Sequence, residues 1–163
     1  MPQNTIPQKA ESKVQSIEGL EIFHGCLNTE KIYKNWHDFA ARKNLGASGI
    51  FTGIVRMENG FDGLSFDIYQ PLLEKWFLQW SEKAMKLGGF LKMAHSIGHV
   101  YNHQSSYMAG VFSSQRQTCF NLFESFIQDF KHNAPIWKYD LKGQQRIYAK
   151  ERSYKLPFSG LLS

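Results

Sequence analysis

Cysteine is scarce in this 163-residue chain: Cys26 and Cys119 stand far apart and without CxxC spacing. Such a pair supports neither a disulfide framework nor a zinc site. No GxxxxGK[ST] or GxGxxG string occurs, so nucleotide-loop folds lose their signature, and no GxSxG marks a nucleophilic serine. No apolar run approaches the roughly 20 residues a membrane helix needs. Residues 1–16 lack the apolar segment of a secretory signal. These absences point to a soluble chain in a reducing, cytoplasmic compartment.

Aromatic residues, in contrast, are plentiful. Thirteen Phe, seven Tyr and four Trp lie within a 42% hydrophobic composition, enough to build the core of one domain. The net charge of +5 is one-sided: residues 1–91 balance ten Lys/Arg against ten Asp/Glu, whereas residues 92–163 set nine against four. A one-sided positive field attracts phosphate, carboxylate or nucleic acid.

The pattern along the chain predicts an N-terminal tail over 1–17, one domain over 18–155 and a C-terminal tail over 156–163. Leu20 to His24 is a short strand. Asn28 or Thr29 caps a helix over 30–43, with Ile32, Trp36, Phe39 and Ala40 at helical spacing. Ala47 to Arg56 is an apolar, glycine-spotted strand. Asn59-Gly60 and Asp62-Gly63 signal a hairpin turn into Leu64 to Tyr69. Pro71 starts a helix that Gly88-Gly89 stops. Phe90 to Ile97, broken at Gly98, and Tyr107 to Ser113 are further strands. Ser113 or Ser114 caps a helix running to Lys131, and Pro135 prevents its continuation. Ile136 to Leu141 and Arg146 to Ala149 form a last hairpin. Hairpins alternating with three single helices predict an α+β fold with an antiparallel or mixed sheet.

His95, His99 and His103 lie four apart, but Gly98 and the strand pattern argue against a helix that would gather them on a metal. Cys119 falls within a helix pattern and reads as a core residue. What remains is a set of cations beside apolar residues. Arg56 closes a strand, Lys131 ends an aromatic helix, Lys138 sits between Trp137 and Tyr139, and Arg116 starts the last helix. A lysine in an aromatic setting is poorly hydrated, which lowers its pKa and frees its amine as base or nucleophile. Arginine stays charged and grips phosphate with two prongs. The competing reading is surface lysines whose stems pack on aromatics.

Specific strings decide between these readings. Phe51-Thr52-Gly53-Ile54-Val55-Arg56 resembles the F-x-G-x-V-R strand of the large, catalytic subunit family of molybdopterin synthase. Asp129 to Lys138 (DFKHNAPIWK) is similar to that family's D-x-K-x-x-x-P-[IF]-W-K signature. His95-x-x-Gly98 and Arg116 also match, and the spacing agrees from about residue 20 to 152. The resemblance implies an α/β hammerhead fold and a sulfur transfer without metal or cofactor. In that reaction a small ubiquitin-like subunit inserts its C-terminal thiocarboxylate into a pocket. Its sulfur passes to cyclic pyranopterin monophosphate, and two rounds make the dithiolene of molybdopterin.

Carried over by residue, Lys131 is the acid/base or transient covalent group and Lys138 stabilises developing negative charge. Arg56 and Arg116 hold the anionic substrate or tail, and Phe51 lines the channel. Lys150 and Arg152 compete for a further arginine position. Gln115 replaces the family's histidine, and Ser96 its arginine. Arg116 and Lys131 are fifteen residues apart on one helix, about 22 Å at 1.5 Å per residue. If both act, two copies must share each site, as in the homodimer core of the heterotetramer that the resemblance implies. Two other functions compete with this one: a basic nucleic-acid-binding module, and an inactive relative that only binds the small subunit.

Overall fold

A computed structural model describes residues 12–152. Its spine is the long strand β5 (Gly89–Tyr101). The first part of β5 pairs in parallel with β2 (Leu20–His24), which carries the short β1 (Lys13–Val14) on its outer edge. On its other side β5 pairs antiparallel with β6 (Ser105–Ser113), and β6 carries β3 (Ala47–Ile54). From Gly98 onward β5 changes partner to β4 (Gly63–Ile68), which continues to β7 (Ile136–Lys142) and β8 (Gln145–Tyr148). Gly98 adopts φ +79°, a left-handed value that glycine reaches without steric cost, and the strand passes between its two sets of partners there.

Strand alternation sorts the core into two clusters. Met108 and Phe112 of β6 face α1 (Thr29–Arg42), where Ile32, Trp36 and Ala40 are buried. Tyr107, Ala109 and Val111 face the opposite way, toward α2 (Gln70–Lys86) and α3 (Arg116–Asn133). There Phe77 and Phe126 are fully buried. Helix α3 lies close on β3 because Gly49 lacks a side chain: a Cβ there would sit 2.9 Å from Phe123. The C-terminal end of α3 is tied to α2 by Asp129, whose Oδ2 accepts the indole N–H of Trp76 at 2.9 Å and of Trp80 at 2.6 Å. These bonds hold the Asp129 carboxyl below its ordinary pKa although burial pushes the other way. Ala134 is already extended (ψ 132°), as a residue preceding proline must be, and the chain enters β7 directly.

The predicted α+β order is observed, with three helices in the expected places and one added strand. Four local expectations need correction. Residues 12–17 of the expected N-terminal tail include β1, tied to β2 by backbone pairing and by a Lys13–Glu21 ion pair of 3.2 Å. Residues 1–11 and the proposed tail 156–163 lie outside the described residues. Strands β3 and β4 do not form a hairpin. Asn59-Gly60 does turn, but the loop carries the chain from the edge of β6 to a place between β5 and β7. Gly98 does not break its strand. Finally, neither Ser113 nor Ser114 caps α3: its N-cap is Gln115, without a side-chain bond, and Ser113 Oγ donates to the Gln115 carbonyl at 2.5 Å.

Candidate active site

The end of β3, the start of β6, the paired strands β4 and β7, and the last turns of α3 enclose a cavity of about 340 Å³. Register explains who meets there. Lys138 of β7 stands opposite Phe66 of β4, and Asp140 opposite Leu64. Tyr107 of β6 stands opposite Gly53 of β3 on one side and His95 of β5 on the other. A register shift at Gly53/Ile54 ends the β3 ladder just before Arg56.

Of the sequence-predicted residues, Phe51, Arg56, Lys131, Lys138 and Arg152 line this cavity; Arg116 and Lys150 do not. Lys131 is exposed at the C-terminal end of α3, whereas Lys138 is half-buried. Burial lowers the pKa of Lys138 below the ordinary lysine value, and the charges of Arg152 and Lys131 push it in the same direction. The depressed amine expected from sequence therefore lies at Lys138. Arg56 is exposed and ion-paired with Glu58. Arg152 Nη2 donates to both oxygens of Asp140 at 2.6 Å, which fixes the guanidinium on the cavity wall. Lys150 opens the same 3₁₀ turn (Lys150–Arg152) but is not among the residues lining the cavity.

The other wall is aromatic. Tyr107 stacks on Phe130 with centroids 3.8 Å apart and planes 6° from parallel. His95 packs edge-on against Phe66 at 5.0 Å. Its Nδ1 lies 2.7 Å from the Ser96 carbonyl, which only accepts, so Nδ1 carries the proton. Burial holds the His95 pKa down at about 4, the Ser96 bond opposing and the Lys138 charge adding to the depression. From pH 6.5 down to about 4 an unfolded His95 gains a proton that the folded one refuses. The contribution of His95 to folding stability is therefore complete above about pH 6.5 and is lost through that window, by up to about 3 kcal/mol. Chemical denaturation at pH 7 and pH 4.5 should show this loss, and His95→Gln should lessen it.

Sequence reasoning missed the Tyr107–Phe130 wall, and it marked Asp140 only as the acidic residue two after Lys138, not as the partner of Arg152. Along β6, Tyr107 lies on the face toward α3, and nothing local in the sequence shows that α3 ends above it.

The fold and site together define a class: an α+β domain with an aromatic-lined cavity bordered by cations. The MoaE protein family model matches residues 24–133, and the chain belongs to that family. It is 52% identical over 144 residues to the molybdopterin synthase catalytic subunit of Helicobacter pylori 26695, covering 88% of this chain and 99% of the relative. The corresponding Salmonella typhimurium subunit is 27% identical over 124 residues, covering 72% of this chain and 83% of that one. Among solved structures, a complex of subunits 1 and 2 of molybdopterin-converting factor from H. pylori 26695 matches with TM-score 0.83 and 52% identity, over 88% of this chain and 99% of that one. Molybdopterin synthase from Staphylococcus aureus shares the fold at TM-score 0.68 and 23% identity, over 81% and 97% of the respective chains.

Proposed function

We infer that the chain is the catalytic subunit of a molybdopterin synthase, moving sulfur from a small subunit's C-terminal thiocarboxylate to cyclic pyranopterin monophosphate. The observation that carries this reading is the meeting of Arg56, Lys131, Lys138 and Arg152 around one aromatic cavity. The site must hold a carboxylate-like tail and a phosphate together, and cations converging from four separate segments of the chain meet both needs. Nucleic-acid binding calls instead for cations spread along a surface. The homodimer core with one small subunit at each end, and a cytoplasmic place of action, belong to the same proposal.

Each round forms one carbon–sulfur bond and breaks one carbon–oxygen bond on the substrate, the displaced oxygen staying on the phosphate as its ring opens or departing as water. The acyl carbon–sulfur bond of the tail breaks as water adds to the acyl carbon, so the tail is released as a carboxylate. Lys131, exposed at the mouth, meets the incoming acyl group as acid/base or transient covalent partner. Lys138, deeper and with a lowered pKa, stabilises negative charge and exchanges a proton nearer neutral pH than an ordinary lysine. Arg56 and Arg152 hold anionic groups, and Phe51 borders the passage.

The test is reconstitution. Purified chain, thiocarboxylated small subunit and cyclic pyranopterin monophosphate should together yield molybdopterin. Small-subunit binding without product would leave only the inactive-relative reading, and absence of both would overturn the assignment.

A further inference from the structure

Arg56 reaches the cavity on a loop. Residues 55–62 leave β3 after its ladder has ended and run to β4 without a strand of their own. Four of them, Val55, Arg56, Glu58 and Phe61, line the cavity. Both ends of this loop are bonded to one short turn, residues 102–104, which joins β5 to β6. At the first end the Val55 N–H donates to the Gln104 carbonyl at 2.9 Å, and the His103 N–H donates to the Val55 carbonyl at 2.6 Å. At the second end the Asn102 N–H donates to the Asp62 carbonyl at 2.9 Å. The Asn102 side chain adds a bond from Nδ2 to the Phe61 carbonyl at 2.8 Å. A carbonyl only accepts, which fixes the orientation of the amide.

The geometry points to the 102–104 turn as the clamp that sets where Arg56 stands, with Asn102 as a positioning residue for the sulfur transfer. The inference rests on the proposed sulfur transfer and deepens it. Asn102 does not line the cavity, so its effect must pass through the loop. Arg56 follows Val55 directly, and Val55 is bonded to the turn through both its N–H and its carbonyl. The Arg56 side chain is exposed, and its ion-pair partner Glu58 belongs to the same loop. That pair moves with the loop and cannot anchor it. Among the described residues, two side chains from outside the loop bond its backbone: Asn102, and the exposed Lys142 at Gly60. The turn itself is strained. His103 adopts φ +72°, a left-handed value that is uncommon for a residue with a side chain and persists only where the surroundings impose it. A rigid hairpin that grips both ends of a loop gives its functional side chain a fixed place. A displacement of about 1 Å costs up to about a hundredfold in rate.

Asn102→Ala removes the side-chain bond and keeps the turn's backbone bonds. In the reconstituted assay kcat/KM for cyclic pyranopterin monophosphate should fall about tenfold. The same substitution in an Arg56→Ala background should cost less than twofold, because two residues that act through one contact are not additive. Asn102→Asp keeps the shape without the donor and should match alanine. Amide exchange over residues 55–62 should quicken in Asn102→Ala, and exchange in β6 should not. An equal fall with and without Arg56 would overturn the inference, since the effect would then bypass the arginine. So would wild-type kcat/KM in Asn102→Ala, whether or not its thermal midpoint dropped, because the bond would then be structural only. A wild type that binds the small subunit yet makes no product would remove the sulfur-transfer reading, and the inference with it.

Discussion

Lys131→Ala is expected to lower molybdopterin formation about a thousandfold while leaving small-subunit affinity within a few fold. The magnitude is that of a lost acid–base group, about 10²–10⁴. The variant should fold, because the Lys131 side chain is exposed at the end of α3 and not in the core. Its one structural contribution is a cation in the last helical turn, worth about 0.3–1 kcal/mol. Lys131→Arg separates chemistry from charge. Arginine retains the positive field but has no accessible neutral amine, so it should restore less than a tenth of the activity. Full rescue by arginine would reduce Lys131 to an electrostatic contact. An alanine variant retaining more than a tenth of wild-type turnover would remove it from the chemistry altogether. In that case Lys138, the half-buried lysine of the cavity, would be the group to test next.

The strings around Arg56 and from Lys131 to Lys138 were legible in the sequence because each is a local cluster with fixed spacing. Their meeting in space was not. It depends on β7 pairing with β4, and on β3 pairing with β6 and not with β4. The Asn59-Gly60 turn looks like a hairpin turn at close range, but long-range pairing decided the partner of β3. Gly98 misled for a related reason. A glycine in a strand pattern signals either an end or a change of direction, and only the partners β6 and β4 on its two sides show which applies. Strand β1 is two residues long and carries no periodicity of its own; it owes its place to the edge of β2. The sequence offered Arg152 as a candidate, but not its bond to Asp140, twelve residues earlier and across a hairpin.

Arg116 poses the opposite question: whether a residue outside this chain's own cavity still serves the reaction. It begins α3 and Lys131 lies near the other end, about 22 Å away along a straight helix, so they cannot contact one small substrate within a single chain. Mixing two inactive variants answers the question. Arg116→Ala and Lys131→Ala should each be nearly inactive as homodimers. When the two are unfolded and refolded together in equal amounts, half of the dimers carry one chain of each kind. In each such dimer one site receives Lys131 from one chain and Arg116 from the other, and the second site receives neither. The mixture should therefore recover about a quarter of wild-type activity, as two-fold symmetry with one repaired site in every mixed dimer requires. Activity that stays at the level of the separate variants would show that no site is shared across the dimer. If Arg116→Ala alone proved fully active, the arginine would be a surface cation, and the anionic groups would be held entirely by Arg56, Arg152 and the two lysines.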